Sequence, residues 1–308
     1  MTARDPACPC CGSGEAAQIG KLPDINLFAG VHLDGALDGG YLYRCRRCHL
    51  KFRHPLLSAD AYAALYDNEE TSSWPADEAR PDWERITSYL DRHRSGGRVL
   101  DFGCYTGGLL ARLGAGYERF GVEINKSAAR LASQHADCPV WTSLAGIPPD
   151  RRFDIIVTCD VVEHVENPAD TIGQLLRYLE DDGILVITTG DGDNRLFNRY
   201  GANWWYCFYP EHIAFISKPW LDARGPGTGF RVEHVENFYY CEIGTLERPL
   251  HLALTVFYGR LPRTYLALRR AFDRLRGRPG ITSVTGVGVT DDHLLIVLAK
   301  AATTADLR

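Results

Sequence analysis

The chain has 308 residues, 45% of them hydrophobic and 24% charged, a balance that suits a folded protein with a buried core and excludes a disordered chain. Its formal net charge of -5 gives no global attraction to nucleic acid or to anionic membranes. No apolar run approaches the roughly 20 residues that a membrane-spanning helix needs. Met1 to Pro6 has no apolar stretch after its basic residue, so no secretory signal is expected, and we place the chain in the cytoplasm, where thiols stay reduced. The ten cysteines then need a role other than disulfides.

Residues 1–57 hold clustered cysteines, many glycines and little periodicity. They read as a zinc-binding module with too little apolar surface to fold by core packing alone. Residues 58–95 read as a helical linker or lid, with a Ser58 cap and a second helix around Trp83, Ile86 and Leu90. From residue 96 to 300 strands alternate with helices, the pattern of an α/β fold with a doubly wound, mostly parallel sheet. The expected strands are Val99 to Phe102, Phe120 to Ile124, Val140 to Trp141, Phe153 to Cys159, Gly183 to Thr189, Phe230 to Val235 and His293 to Ala299. Helices fall between them: one from Leu109, one capped by Asn125, and one capped by Asn167 with Pro168 in its first turn and Ile172, Leu175, Leu176 and Leu179 on its apolar face. A helical insertion occupies about 244–280, and 301–308 is a tail.

Cys8 and Cys11, then Cys45 and Cys48, form two C-x-x-C knuckles. Four thiolates in a tetrahedron are what zinc prefers, and a structural zinc supplies folding energy that a core-poor segment lacks. Cys10 can replace Cys8 or Cys11, and His49 is a spare donor. Thiols of no consequence are the competing reading; a redox role is disfavoured because neither pair opens a helix after a strand.

Asp101, Gly103, Cys104, Tyr105 and Gly107 sit where the first strand of the large domain turns into its helix. Glycines there let backbone approach a ligand, and the helix N-terminus offers free N–H groups. Glu123, at the tip of the next strand, can accept both hydroxyls of a ribose. A dinucleotide-binding loop would carry G-x-G-x-x-G directly after the strand. An aspartate beside a pyrophosphate would repel it, whereas beside a cationic sulfonium amino acid it is favourable. The electrostatics point to S-adenosylmethionine rather than NAD.

These residues carry a resemblance. Asp101 to Gly107 resembles the hhD-h-G-C-G-T-G loop of class I S-adenosylmethionine-dependent methyltransferases. Phe153 to Pro168, Trp204 or Trp205 with Pro210 to Ser217, and Thr228-Gly229-Phe230 resemble the ubiquinone-pathway O-methyltransferase branch. The likeness covers roughly residues 96 to 300 and implies the seven-stranded fold of that class. The cysteine module is similar to that of sugar and natural-product methyltransferases, although those sugar enzymes usually carry a further C-terminal domain that this chain is too short to hold. The resemblance implies that Asp101, Gly103, Cys104, Tyr105, Gly107, Glu123, Ile124, Ser143 and Asp160 surround the cofactor. Tyr105 departs from the pattern, standing where the loop ordinarily has glycine. In the ubiquinone branch an acid, a glutamate and the adjacent histidine can hold a divalent metal, which places that role on Asp160, Glu163 and His164.

Methyl transfer is an in-line displacement that needs alignment, exclusion of water and, for a hydroxyl acceptor, removal of a proton. His212 is the first choice for the base because imidazole titrates near neutrality; His164 is the second, and Tyr209 lies on the same segment as His212. The competing reading makes these side chains helix caps or core. Likewise Trp204, Trp205, Tyr206, Phe208 and Tyr209 are either a stacking surface for a flat acceptor or core beneath a loop. Arg260 to Arg278 is basic and helical, with Tyr265, Leu268, Phe272 and Leu275 on one face. Such arginines ordinarily face solvent, the alternative being contact with an anionic substrate or an acidic membrane surface.

The reading is a methyltransferase acting on a small-molecule acceptor, a hydroxyl of a sugar or natural-product intermediate, with carbon and nitrogen acceptors open. A non-catalytic cofactor-binding or zinc-ribbon scaffold is the alternative. Nucleic acid methylation is disfavoured by the acidic charge and by the lack of an Asn-Pro-Pro-Tyr type motif. The oligomeric state is left open.

Overall fold

The computed structural model describes residues 6–66, 80–241, 243–277, 281 and 283–301. Part of the expected linker (67–79), the end of the helical insertion (278–280) and the tail (302–308) lie outside the described residues. The chain divides into two compact units, one built from Met1–Trp74, Gly190–Ser217 and Phe238–His293, the other from Pro75–Thr189, Lys218–Asn237 and Leu294–Arg308.

The first unit opens with β1 (Ala16–Lys21), β2 (Ile25–Phe28), β3 (Val31–Leu37), β4 (Tyr41–Cys45), β5 (Lys51–His54) and α1 (Ala59–Tyr66). The chain then builds most of the second unit from α2 (Pro81–His93), β6 (Gly97–Phe102), α3 (Gly108–Arg112), β7 (Tyr117–Val122), α4 (Lys126–Ala136), β8 (Val140–Trp141), β9 (Phe153–Cys159), α5 (Pro168–Tyr178) and β10 (Leu179–Gly190). It returns to the first unit for α6 (Arg195–Tyr200) and β11 (Ala214–Phe215), and to the second for α7 (Lys218–Thr228) and β12 (Phe230–Phe238). The helices α8 (Arg248–Arg260) and α9 (Pro262–Leu275) belong to the first unit, and β13 (His293–Lys300) completes the sheet of the second.

That sheet has seven strands in the order β12-β13-β10-β9-β6-β7-β8. The pairs β10/β9, β9/β6, β6/β7 and β7/β8 are all parallel. The central strands read as continuous apolar runs because helices cover both faces: Ile155, Ile156 and Val157 of β9 and Leu294 to Leu298 of β13 are fully buried. From β6 the chain steps outward through β7 and β8, then returns to the other side of β6 for β9. That reversal is a topological switch point, where the strand ends diverge and leave a crevice.

Local signals set the helix boundaries. Asn125 accepts hydrogen bonds at its side-chain oxygen from the amides of Ser127 and Ala128, and Asn167 accepts one from Asp170, so each caps the helix that follows. Pro168, in the first turn of α5, lacks an N–H that would have had no partner there. Gly229, at φ +81°, ends α7 in the left-handed conformation and turns the chain into β12.

In the first unit β1, β4, β5 and β11 pair antiparallel in that order, and β2 and β3 form a separate hairpin. Its core gathers Leu22, Leu42, Phe197, Phe208, Phe215 and Tyr258. Trp204, Trp205, Tyr206 and Phe208 are buried in this core, so most of the aromatic run is packing, while Tyr209 lies at its edge. Replacing Asn125 with Ala removes both cap bonds of α4 and should lower unfolding free energy by about 1 kcal/mol in urea titration.

Candidate functional site

In the second unit the strand ends at the switch point carry the expected ligand-binding residues. Asp101 is the penultimate residue of β6, and Gly103 follows at φ +84°. A β-carbon at Gly103 would lie 2.4 Å from Cγ2 of Val161, in the segment after β9, so only glycine fits between the two strand ends. Tyr105 adopts φ +47°. The loop therefore keeps the left-handed turn that glycine ordinarily supplies, with a half-buried aromatic side chain in its place. Cys104 is buried, and Gly121 of β7 makes room for its sulfur: a β-carbon there would stand 2.7 Å from Sγ.

Glu123 follows β7 and is nearly buried. Its Oε2 accepts from the Tyr105 amide at 2.9 Å and its Oε1 from the Asn125 amide at 2.8 Å. These bonds fix the carboxylate against the glycine loop and leave further lone pairs on both oxygens. Next to it Ile124 is exposed (64%) at the same strand end. Ser143 is exposed two residues beyond β8.

Asp101 is 3% exposed, and its Oδ1 is buried without a hydrogen-bond partner. Burial, reinforced by the charge of Glu123, pushes its carboxyl up to about 7. A buried, unpartnered carboxylate oxygen is costly unless a donor or cation arrives to meet it.

Sequence reasoning missed Arg80 and Asp82 at the start of α2. Asp82 is fully buried; Arg80 donates to both of its oxygens, at 3.1 and 2.5 Å, and to Oδ2 of Asp160 at 2.5 Å. Burial and then the Asp160 charge raise the Asp82 carboxyl. Asp160 itself sits at φ +49° just after β9. Four acids, Asp82, Asp101, Glu123 and Asp160, thus share one field with Arg80. Such a field favours a cationic ligand. The sequence held a signal for the missed pair, since Asp82 sits at the first turn of a helix whose other inward residues are Trp83, Ile86 and Leu90.

Glu163 is buried, its Oε2 accepting from the Thr189 hydroxyl at 2.8 Å, and His164 ends the short turn that follows β9. Asp160 does not join them as a third ligand: among the described residues no metal-ligand group combines Asp160, Glu163 and His164, because Asp160 is held by Arg80.

In the first unit the Sγ atoms of Cys8, Cys11, Cys45 and Cys48 all lie within 4.8 Å of one another, with 3.5 Å separating Cys8 from Cys48 and Cys11 from Cys45. Sulfurs about 2.3 Å from a tetrahedral zinc stand about 3.8 Å apart, so the donor set fits that ion. Each knuckle turns tightly: Gly12 donates to the Cys8 carbonyl and His49 to that of Cys45. Neither Cys10 nor His49 is part of the group.

His212 and Tyr209 also belong to the first unit. His212 Nδ1 lies 2.8 Å from the Tyr206 carbonyl; since a carbonyl only accepts, Nδ1 carries the proton and the basic lone pair is on Nε2. Burial pushes the Tyr209 phenol up to about 12, which makes it a hydrogen-bond donor. Between them in sequence, Glu211 is buried with Oε1 accepting from the Ala29 amide at 3.1 Å and Oε2 unpartnered, and burial raises it to about 7. Sequence reading passed over this glutamate, although a lone acid inside the aromatic and apolar run from Trp204 to Ile216 is the mark of a buried charge.

A parallel sheet reversing at β6, an acid before a glycine bend and a second acid at the neighbouring strand tip define the class of nucleoside-binding α/β proteins that take a cationic ligand. Residues 76–235, more than half of the chain, match the family described as a methyltransferase domain. The chain belongs to that family, the class I S-adenosylmethionine-dependent methyltransferases. It is 33% identical over 104 residues to the ubiquinone biosynthesis O-methyltransferase of Rhodopseudomonas palustris, covering 31% of this chain and 40% of that protein. It is 36% identical over 104 residues to the corresponding Bradyrhizobium diazoefficiens protein, covering 30% and 39%. The matched region thus spans less than half the length of these relatives. Among solved structures, a putative methyltransferase from Bacillus halodurans is 15% identical, with a TM-score of 0.47 over 72% of this chain and 98% of that one. The magnesium protoporphyrin IX methyltransferase of Synechocystis, solved with bound SAH, is 15% identical, with a TM-score of 0.44 over 72% and 82%.

Gly103→Ala should cost roughly 2–4 kcal/mol in thermal or urea unfolding, from the positive φ and the contact with Val161 together. Adding Val161→Ala should recover the steric share and leave the backbone share.

Proposed function

We propose that the chain methylates a hydroxyl of a small-molecule acceptor, a sugar or natural-product intermediate, in the cytoplasm. The observation that carries the donor half is the buried, unpartnered Oδ1 of Asp101. In this reading Asp101 meets the cationic amino acid portion of S-adenosylmethionine, Glu123 accepts from its ribose, and Ile124 and Ser143 border its adenine. Gly103, Tyr105 and Gly107 shape the loop, Cys104 holds it from beneath, and Asp160 with Arg80 closes the acidic end. Bound S-adenosylmethionine supplies a methyl group on a positively charged sulfur.

A hydroxyl acceptor is supported by the relatives, which are named as O-methyltransferases. It requires a proton acceptor, and we assign that role to Nε2 of His212, whose tautomer the Tyr206 carbonyl selects. Tyr209, held protonated by burial, donates a hydrogen bond that orients the acceptor, and His164 is the second candidate for the base. The four cysteines hold a structural zinc with no open position for chemistry, a thiolate site that suits a reducing compartment.

The donor assignment is tested by calorimetric titration with S-adenosylmethionine. Empty protein holds Asp101 largely protonated below pH 7, and the cationic ligand needs it ionised. Affinity should therefore rise with pH by up to about tenfold per unit below about 7 and level off above it. Asp101→Asn should flatten that profile and weaken binding at pH 8; a profile unchanged by the substitution refutes the role. His212→Asn should lower kcat by about a hundredfold or more with donor affinity kept. For the metal, purified protein should hold one zinc per chain by atomic absorption. Cys45→Ser should lose it and lower Tm, and a variant retaining stoichiometric zinc would exclude this ligand set.

A further inference from the structure

Twelve large hydrophobic residues are exposed among the described residues, and seven of them fall from Leu246 to Leu275, on α8 and α9 or directly ahead of them. On α9 the inward side is well anchored: Tyr265 and Leu266 are buried, Tyr265 packs edge-on against Tyr258, and buried Asp273 accepts from Arg269. At about 100° per residue, Phe272, Leu268 and Leu275 follow Tyr265 around the helix, and Thr264, Ala271 and Ala267 lie beyond them; these six, and Leu261 just ahead of α9, are all exposed. Leu275 is 87% exposed and Leu268 58%. Leu246, just ahead of α8, and Leu250, in its first turn, are also exposed.

Arginines border this apolar sector on both sides. Arg263, Arg270 and Arg274 follow one edge at helical spacing, and Arg269 and Arg276 the other, with the Arg276 guanidinium 4.3 Å from the centre of the Phe272 ring. From Leu246 to Gly277 the chain carries seven arginines against two acids, Glu247 and Asp273, within a protein of net charge -5. The charge is therefore concentrated on the segment that exposes the apolar side chains.

We propose that this face of α9, with the start of α8, docks in the plane of an anionic lipid surface. The leucines and Phe272 enter the acyl boundary while Arg263, Arg270 and Arg274 extend to lipid phosphates. The charge selects this occupant over a symmetric second copy, because an isologous contact would set one arginine-rich face against another. Among the described residues no helix is long and apolar enough to cross a bilayer.

The test is co-sedimentation of the full chain with vesicles, either phosphatidylcholine alone or equal parts phosphatidylcholine and phosphatidylglycerol, with analytical ultracentrifugation of the protein by itself. The expected result is binding to the mixed vesicles only, weakened by added salt. It should fall about tenfold or more in the variant Leu268→Gln/Phe272→Gln/Leu275→Gln, whose far-ultraviolet circular dichroism and Tm stay unchanged because the three side chains are exposed. The proposal is overturned by absence of binding to the mixed vesicles, by equal binding to phosphatidylcholine alone, or by a protein dimer that the triple variant dissolves.

Discussion

Taking Asp101 out of water is the constraint around which the second unit is arranged. A carboxylate at the end of a central parallel strand loses hydration on every side, and its neighbour Glu123 makes ionisation harder still. Among the described residues nothing hydrogen-bonds to Oδ1, yet the surrounding groups are fixed with care: Glu123 is held by two backbone amides, Asp82 and Asp160 by one guanidinium. A site so acidic, with Oδ1 of Asp101 buried and unpartnered among the described residues, is complementary to a compact positive charge rather than to phosphate.

The backbone around that acid is equally constrained. Gly103 leaves no room for a β-carbon beside Val161, and Gly121 yields its side-chain space to Cys104. At Tyr105 the left-handed conformation is held with a bulky residue in it, its amide engaged by Glu123.

Much of this was legible in the chain itself. The strand from Phe153 to Cys159 has the expected bounds, and the caps at Asn125 and Asn167 form as their side-chain chemistry dictates. Those features depend on local sequence, where periodicity and capping act. The grouping of the paired cysteines was also readable, because two C-x-x-C turns each bring two sulfurs to one side. What escaped was long-range pairing of charge. Arg80 meets Asp160 across eighty residues of chain, so no spacing rule could join them, and Glu211 reveals itself only once its burial is known. The aromatic run from Trp204 was ambiguous for the opposite reason: composition says that such side chains gather, and only packing decides that four of them form core.

One detail of the first unit links strand pairing to sulfur chemistry. Cys45 is the last residue of β4, and in the ladder it sits directly opposite Ala16 of β1, so a member of the sulfur group is simultaneously a rung between two strands. The β2–β3 hairpin is looped out between those strands, and joining the knuckles closes that same loop. Gathering the four sulfurs and zippering β1 onto β4 therefore draw on one entropic expense, and neither event can be completed far ahead of the other during assembly.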